Sequence, residues 1–242
     1  MEERMGKPLA GQLTIQTAPQ AAAEAIRESI ISGDLKGGDR IIEQKWAVRL
    51  GIGQPTLREA LHELEHQGLL RKVQQRGAYV TQLSPEDYRL IQEVRIPLEA
   101  IAMGKAAEKM TLVVEEELTA IVTEMARNGM DGVDVQHFHD CDVAFHRKVW
   151  ELAGNKYLQA TLETVTIRLF VFSIVGRWPG NPKAINERLA AVQQHLGILE
   201  GLKTRNKRQA STIFVRQSVQ YWNAQYGLNL DEAELTLADL NS

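Results

Sequence analysis

Apolar positions recur every four residues over 21–32, at Ala22, Ile26 and Ile30, which predicts a helix that Gly33 stops. The stretch Gly33-Asp34-Leu35-Lys36-Gly37-Gly38-Asp39 is rich in turn formers. A short helix follows over roughly 43–50, with Trp46, Ala47 and Leu50 on one face, and Gly51-Ile52-Gly53 turns the chain. The next helix opens at Gln54, takes Pro55 in its first turn, carries a Leu57, Leu61, Leu64 stripe and ends near Gly68. Two short extended pieces, 69–73 and 78–81, are joined through Gln74-Gln75-Arg76-Gly77. Helix, helix, turn, helix, hairpin is the order of a winged helix-turn-helix, expected over 18–82 behind a flexible tail at 1–17.

A boundary falls at Leu83-Ser84-Pro85-Glu86-Asp87, where Ser84 suits an N-cap, Pro85 the first helical position and the two acids the helix dipole. Beyond it helical spacing continues almost throughout. Helices are expected near 85–109, 112–128, 135–153, 157–175, 184–203 and 206–226, with Gly129, Gly154 and Gly227 as stops. No strand-like alternation, internal repeat or low-complexity segment interrupts them. The expected fold is therefore mainly α: a winged helix-turn-helix followed by an all-helical bundle over 84–228, with a peripheral acidic tail at 229–242.

Composition adds exclusions. With 44% apolar and 24% charged residues, the 242-residue chain is an ordinary globular sequence rather than a disordered or fibrous one. No apolar run approaches the roughly 18 residues of a membrane span, and the first residues lack an apolar signal core. One cysteine, Cys141, excludes an intrachain disulfide, so a reducing cytoplasm is the expected setting. The net charge of −3 hides a local basic excess: residues 40–76 hold seven bases and four acids.

The helix from Gln54 is a candidate recognition helix, since the major groove admits one helix and distinguishes every base pair there. Gln54 can pair with adenine, Thr56 can touch a phosphate or a thymine methyl, and Arg58 can reach guanine or phosphate. Arg49 belongs to the same basic surface, and Arg76 with Gly77 forms the hairpin tip, placed for a minor groove or the backbone. On spacing alone, Arg58 and Glu59 could equally be a solvated helix face.

Two stretches carry a resemblance. Ile31-Ser32-Gly33-Asp34-Leu35-Lys36-Gly37-Gly38-Asp39-Arg40-Ile41 and 46–61, with Arg58-Glu59-Ala60-Leu61 at its end, resemble the GntR family of bacterial transcription regulators. Leu64-Glu65, Gly68-Leu69 and Arg76-Gly77-Ala78-Tyr79-Val80 continue the match over about 60 residues. The family's usual Arg is Gln54 here, which implies an altered base preference. Residues 84–226 resemble the all-helical C-terminal (FCD) domain of the FadR-type subfamily, through Val94-Arg95-Ile96-Pro97-Leu98-Glu99 and Asp142-Val143-Ala144-Phe145-His146 with Ala153-Gly154-Asn155. The resemblance implies a homodimer on a palindromic double-stranded operator, repression, and a small organic or sugar acid as effector.

In this second half, Asp142 and His146 stand four apart on one helix face, beside apolar Val143, Val149 and Trp150. His195, among Val192, Leu199 and Leu202, also reads as inward. A buried carboxylate and two imidazoles could hold a divalent metal, Zn²⁺ or Ni²⁺, with open positions; hydrogen-bonded core histidines are the plainer reading. The resemblance implies a fourth ligand, a histidine, where this chain has Gln217, a poor ligand for a transition metal. Arg95 is either the ion-pair partner of Glu99 or, as the family implies, an anchor for an effector carboxylate; Arg168, in an apolar run, is a second anchor. His139 is expected at the surface or behind the ligands, His137, His62 and His66 on solvated helix positions, and Cys141 as a small buried hydrophobe. The same Asp/His/His set admits a metal-dependent hydrolase, although no GxSxG or HExxH motif accompanies it.

Overall fold

The computed structural model describes residues 16–131, 134–175 and 184–236. All of the tail expected at 1–17 except Gln16 and Thr17 lies outside these residues, as does 237–242. Helix α1 (Ala18–Ile31) starts three residues earlier than the apolar spacing suggests, because Thr17 and Gln20 form a reciprocal capping box. A two-residue strand β1 (Arg40–Ile41) leads into α2 (Glu43–Leu50), which Gly51 ends in the left-handed conformation at φ 65°. Helix α3 (Gln54–His66) is followed by β2 (Leu70–Val73) and β3 (Gly77–Val80). The antiparallel sheet has the order β1-β3-β2, with Arg40 opposite Tyr79 and Leu70 opposite Val80. Strand β1, absent from the sequence reading, is too short to show any alternation. Ile26, Ile30, Leu57, Leu64, Leu69 and Val80 meet in one fully buried core beneath this unit.

Four residues separate β3 from α4 (Pro85–Glu108), and both ends of that link are fastened. Thr81 N–H donates to Leu69 O at 2.9 Å, Leu83 packs on the core of the winged unit, and Ser84 caps α4 through Asp87. Five long helices follow: α5 (Leu112–Asp131), α6 (Val135–Ala153), α7 (Lys156–Val175), α8 (Ala184–Lys203) and α9 (Lys207–Tyr226). Helix α4 runs through their middle, against α6, α7, α8 and α9, while α5 lies across α6 and α8. Two boundaries differ from expectation. Helix α5 runs past Gly129, whose carbonyl accepts from Arg188 Nε at 3.0 Å and whose Cα face packs on Phe138. The segment expected as a peripheral tail forms a short α10 (Glu232–Leu235) and sends Leu230 and Leu235 into the bundle core beside Leu228.

Helices α4 and α9 are antiparallel and close. Ser211 Oγ donates to Ala100 O at 2.7 Å, and Tyr88 near the other end of α4 meets Trp222 and Tyr226. The approach depends on Gly104, where a Cβ would fall 2.5 Å from Ser211 Oγ and 3.0 Å from Lys207 O. Alanine improves helix propensity by about 1 kcal/mol, but overpacking a tight contact costs about 1–3 kcal/mol. Gly104→Ala is therefore expected to lower the denaturant midpoint; an unchanged or raised midpoint would show that α9 withdraws at no cost.

Candidate nucleic-acid interface and metal centre

Helix α3 divides cleanly. Leu57, Ala60, Leu61 and Leu64 face the core, and Gln54, Arg58 and Glu59 face solvent, with Thr56 half-buried between them. Gly53 and Pro55 set the start of the helix, so Gln54 and Arg58 stand four residues apart on its outer side. Arg58 Nε donates to Glu43 Oε2 on α2 at 2.8 Å, while the Arg58 side chain keeps 63% of its surface in water. An exposed pair of this kind contributes at most about 1 kcal/mol, so Arg58 is oriented without being locked away. Arg49 lies over the Trp46 ring, 4.9 Å from its centroid. Arg76 is exposed in the turn between β2 and β3, and Gly77, at φ 98°, supplies backbone geometry that side chains rarely adopt. His62 and His66 are exposed on α3, as expected.

In the bundle, Asp142 and His146 of α6 meet His195 of α8. One ligand atom from each lies within 4.8 Å of the other two. Asp142 Oδ1 is 3.0 Å from His195 Nε2 and 3.6 Å from His146 Nε2, and both imidazoles are almost wholly buried. The other ring nitrogens fix the tautomers. His195 Nδ1 meets Ala191 O at 2.7 Å, and a carbonyl only accepts, so Nδ1 carries the proton. His146 Nδ1 meets Glu99 Oε1 at 2.5 Å. Burial pushes the Glu99 carboxyl up, but the Arg95 charge, His146 and a hydrogen bond from Trp150 overcome it and hold the group down at about 2. Glu99 is therefore ionised and accepts from His146 Nδ1. The two Nε2 atoms and an Asp142 carboxylate oxygen thus converge.

That donor set fits a divalent metal. Bonds of about 2.1 Å at tetrahedral angles put ligand atoms about 3.4 Å apart, close to the observed spacings. His195 Nε2 is buried and has no aligned hydrogen bond despite its 3.0 Å approach to Asp142. Glu99 behind His146 is the carboxylate–histidine arrangement that orients metal-ligating imidazoles. Phe145 packs edge-on against both rings, with centroids 5.7 and 5.0 Å away, which holds their planes.

Several expected residues are placed differently. Arg95 forms the buried ion pair with Glu99, Nε to Oε2 at 2.8 Å, and its Nη2 lies 3.4 Å from His146 Nε2. Gln217 rests its amide against Gly197 in an open groove between α8 and α9. The Arg168 side chain lies outside the described residues. His139 is buried, not at the surface, whereas His137 is exposed as expected, 3.4 Å from Glu124, and Cys141 is the small buried residue expected. Three residues went unassigned in the sequence: Glu99 as the support of the site, Trp150 as its partner, and Gln92, fully buried on the same face of α4. Only the 92, 95, 96, 99 spacing along α4 hints at them.

Comparison with known proteins places this geometry. Residues 19–80 match the family model "Bacterial regulatory proteins, gntR family", and residues 90–216 match the FCD domain. The HTH-type transcriptional regulator YdhC of Bacillus subtilis is 29% identical over 191 residues, which are 76% of this chain and 80% of that one. The HTH-type transcriptional repressor NanR of Klebsiella aerogenes is 25% identical over 211 residues, 77% of each chain. The solved structure of Escherichia coli McbR/YncC superposes with a TM-score of 0.71 at 19% identity, covering 87% of this chain and 98% of that one. A GntR regulator from Rhodococcus sp. RHA1 gives 0.69 at 17%, covering 88% and 99%. The hydrolase reading has no support among these matches, and no helix of the described residues is long and apolar enough to cross a membrane. A winged helix with an outward Gln54 and Arg58, joined to an FCD bundle, makes this chain a member of the gntR family of bacterial regulatory proteins and a transcriptional regulator.

Proposed function

We propose that the chain is a homodimeric repressor of a palindromic operator, controlled by a small carboxylate bound beside a divalent metal in the FCD bundle. The convergence of Asp142, His146 and His195 in a buried interior carries the effector half of this reading. These three residues would hold Zn²⁺ or Ni²⁺, which supplies open coordination positions to an oxygen ligand. Charge favours a single carboxylate. Arg95 and Glu99 cancel, Asp142 contributes one negative charge, and a divalent ion leaves one positive charge for the incoming acid to neutralise. Without the ion the same interior repels an anion. Repression follows the naming of the NanR relative, and the two-fold operator follows from isologous pairing of identical chains.

On the DNA side, Gln54, Thr56 and Arg58 read base edges or phosphates, while Arg49, Arg76 and Gly77 hold the backbone from the flank and the wing. The test is operator affinity. With a duplex selected from a random pool and read by fluorescence anisotropy at fixed salt, Arg58→Ala is expected to bind about 1–3 kcal/mol more weakly and to relax specificity at one base pair per half-site. Equal affinity and equal specificity would remove Arg58 from the interface. The mass of the saturated complex by light scattering checks two chains per duplex.

A further inference from the structure

We propose that Gln92 and Ser218 form a second recognition point in the bundle, which reads a neutral hydroxyl on the bound acid. This rests on the metal-and-carboxylate reading above and extends it to the other end of the ligand. Gln92 is 0% exposed, and neither its amide nitrogen nor its amide oxygen has a hydrogen-bond partner. Ser218 is 1% exposed, and its Oγ is likewise without a partner. Native interiors rarely leave such groups unmet, and each marks a place where something polar can be received.

The helix register brings them to one level. Ser211 meets Ala100 and Gly104, and Tyr88 meets Trp222 and Tyr226, so Ser218 on antiparallel α9 falls near the Gln92 turn of α4. Gln92 stands three residues before Arg95 on the same face, a rise of about 4.5 Å. Arg95 Nη2 in turn lies 3.4 Å from His146 Nε2, at the metal end. A ligand held there by its carboxylate would turn its other end toward Gln92.

The chemistry of the pair selects the group. A hydroxyl both donates and accepts, so it can meet the Gln92 oxygen, the Gln92 nitrogen and Ser218 together. A second carboxylate or an ammonium satisfies only part of this set and brings a charge for which Gln92 and Ser218 offer no counter-ion. A methyl group leaves all three atoms unmet, and sites built to bond a hydroxyl reject analogues lacking it far more strongly than they reject a missing methylene.

The full-length, zinc-loaded chain is titrated calorimetrically with a series of omega-hydroxy acids of increasing chain length and with the alkyl acids in which methyl replaces the hydroxyl. At least one hydroxy acid is expected to bind about tenfold or more tighter than its methyl partner. Ser218→Ala, which removes a single oxygen, should narrow that ratio, and Gln92→Leu should abolish or invert it, with zinc affinity unchanged in both. Absence of discrimination in the natural chain, or a ratio untouched in both variants, overturns the inference. Zinc binding without discrimination overturns it while leaving the metal reading intact. Discrimination that depends on Gln92 in a chain that takes up no zinc upholds it and overturns the metal reading.

Discussion

Glu99→Ala is expected to cost the folded chain about 3–5 kcal/mol, the range for removing one partner of a buried ion pair. Glu99 is fully buried and holds three groups at once: the Arg95 guanidinium, His146 Nδ1 and Trp150 Nε1. Its loss strands the Arg95 charge in an interior that cannot hydrate it, and leaves the indole N–H without the acceptor at 2.8 Å. The pair also brackets Pro97, which removes a backbone donor from the middle of α4, so a tie between residues 95 and 99 spans the weakest turn of that helix. The double variant Arg95→Met with Glu99→Leu should recover most of the loss, since apolar replacement of a whole buried pair is often neutral or better. Denaturant midpoints of the three proteins decide it. A single-variant loss under about 1 kcal/mol would mean that water or another anion reaches Arg95.

Zinc is expected to stabilise the chain, and His195→Ala to abolish the effect. A ligand that binds only the folded state at about a hundred times its Kd adds about 2.7 kcal/mol, or roughly 5–10 °C in Tm for a chain of this size. The imidazole of His195 makes one hydrogen bond, to Ala191 O, so its removal leaves little else unmet; the zinc-free variant should lose only the cavity cost of a buried ring, and the zinc-induced shift is read against its own zinc-free Tm. Asp142→Asn should behave in the same way, because an amide oxygen is a weak ligand and the converging lone pairs lose their one charge. Equal zinc-induced shifts in the natural chain and in both variants would place the ion elsewhere.

Much of this architecture was legible in the sequence where one residue type has one structural use. Ser84 capped a helix, Gly154 and Gly227 ended helices in the left-handed conformation, and the Leu57, Leu61, Leu64 stripe faced inward. The failures were those of local reasoning. Gly129 looked like a stop, but Phe138 packed on it and Arg188 bonded its carbonyl, which outweighs a glycine's small intrinsic cost. Three leucines after Gly227 were masked by the acids among them, although Leu228, Leu230 and Leu235 complete the core. Within the site, Asp142 and His146 were visible because a helix sets their spacing, whereas Glu99 joins them only through the packing of α4 against α6.

The short link between wing and bundle has a mechanical meaning. Thr81, Leu83 and Ser84 are each fastened, so the four residues after β3 act as a keyed shaft coupling rather than a tether. A flexible tether dissipates torque. This one, fastened along its length and flanked by the packing of α1 on α7, leaves the start of α4 and the winged unit little freedom to turn separately.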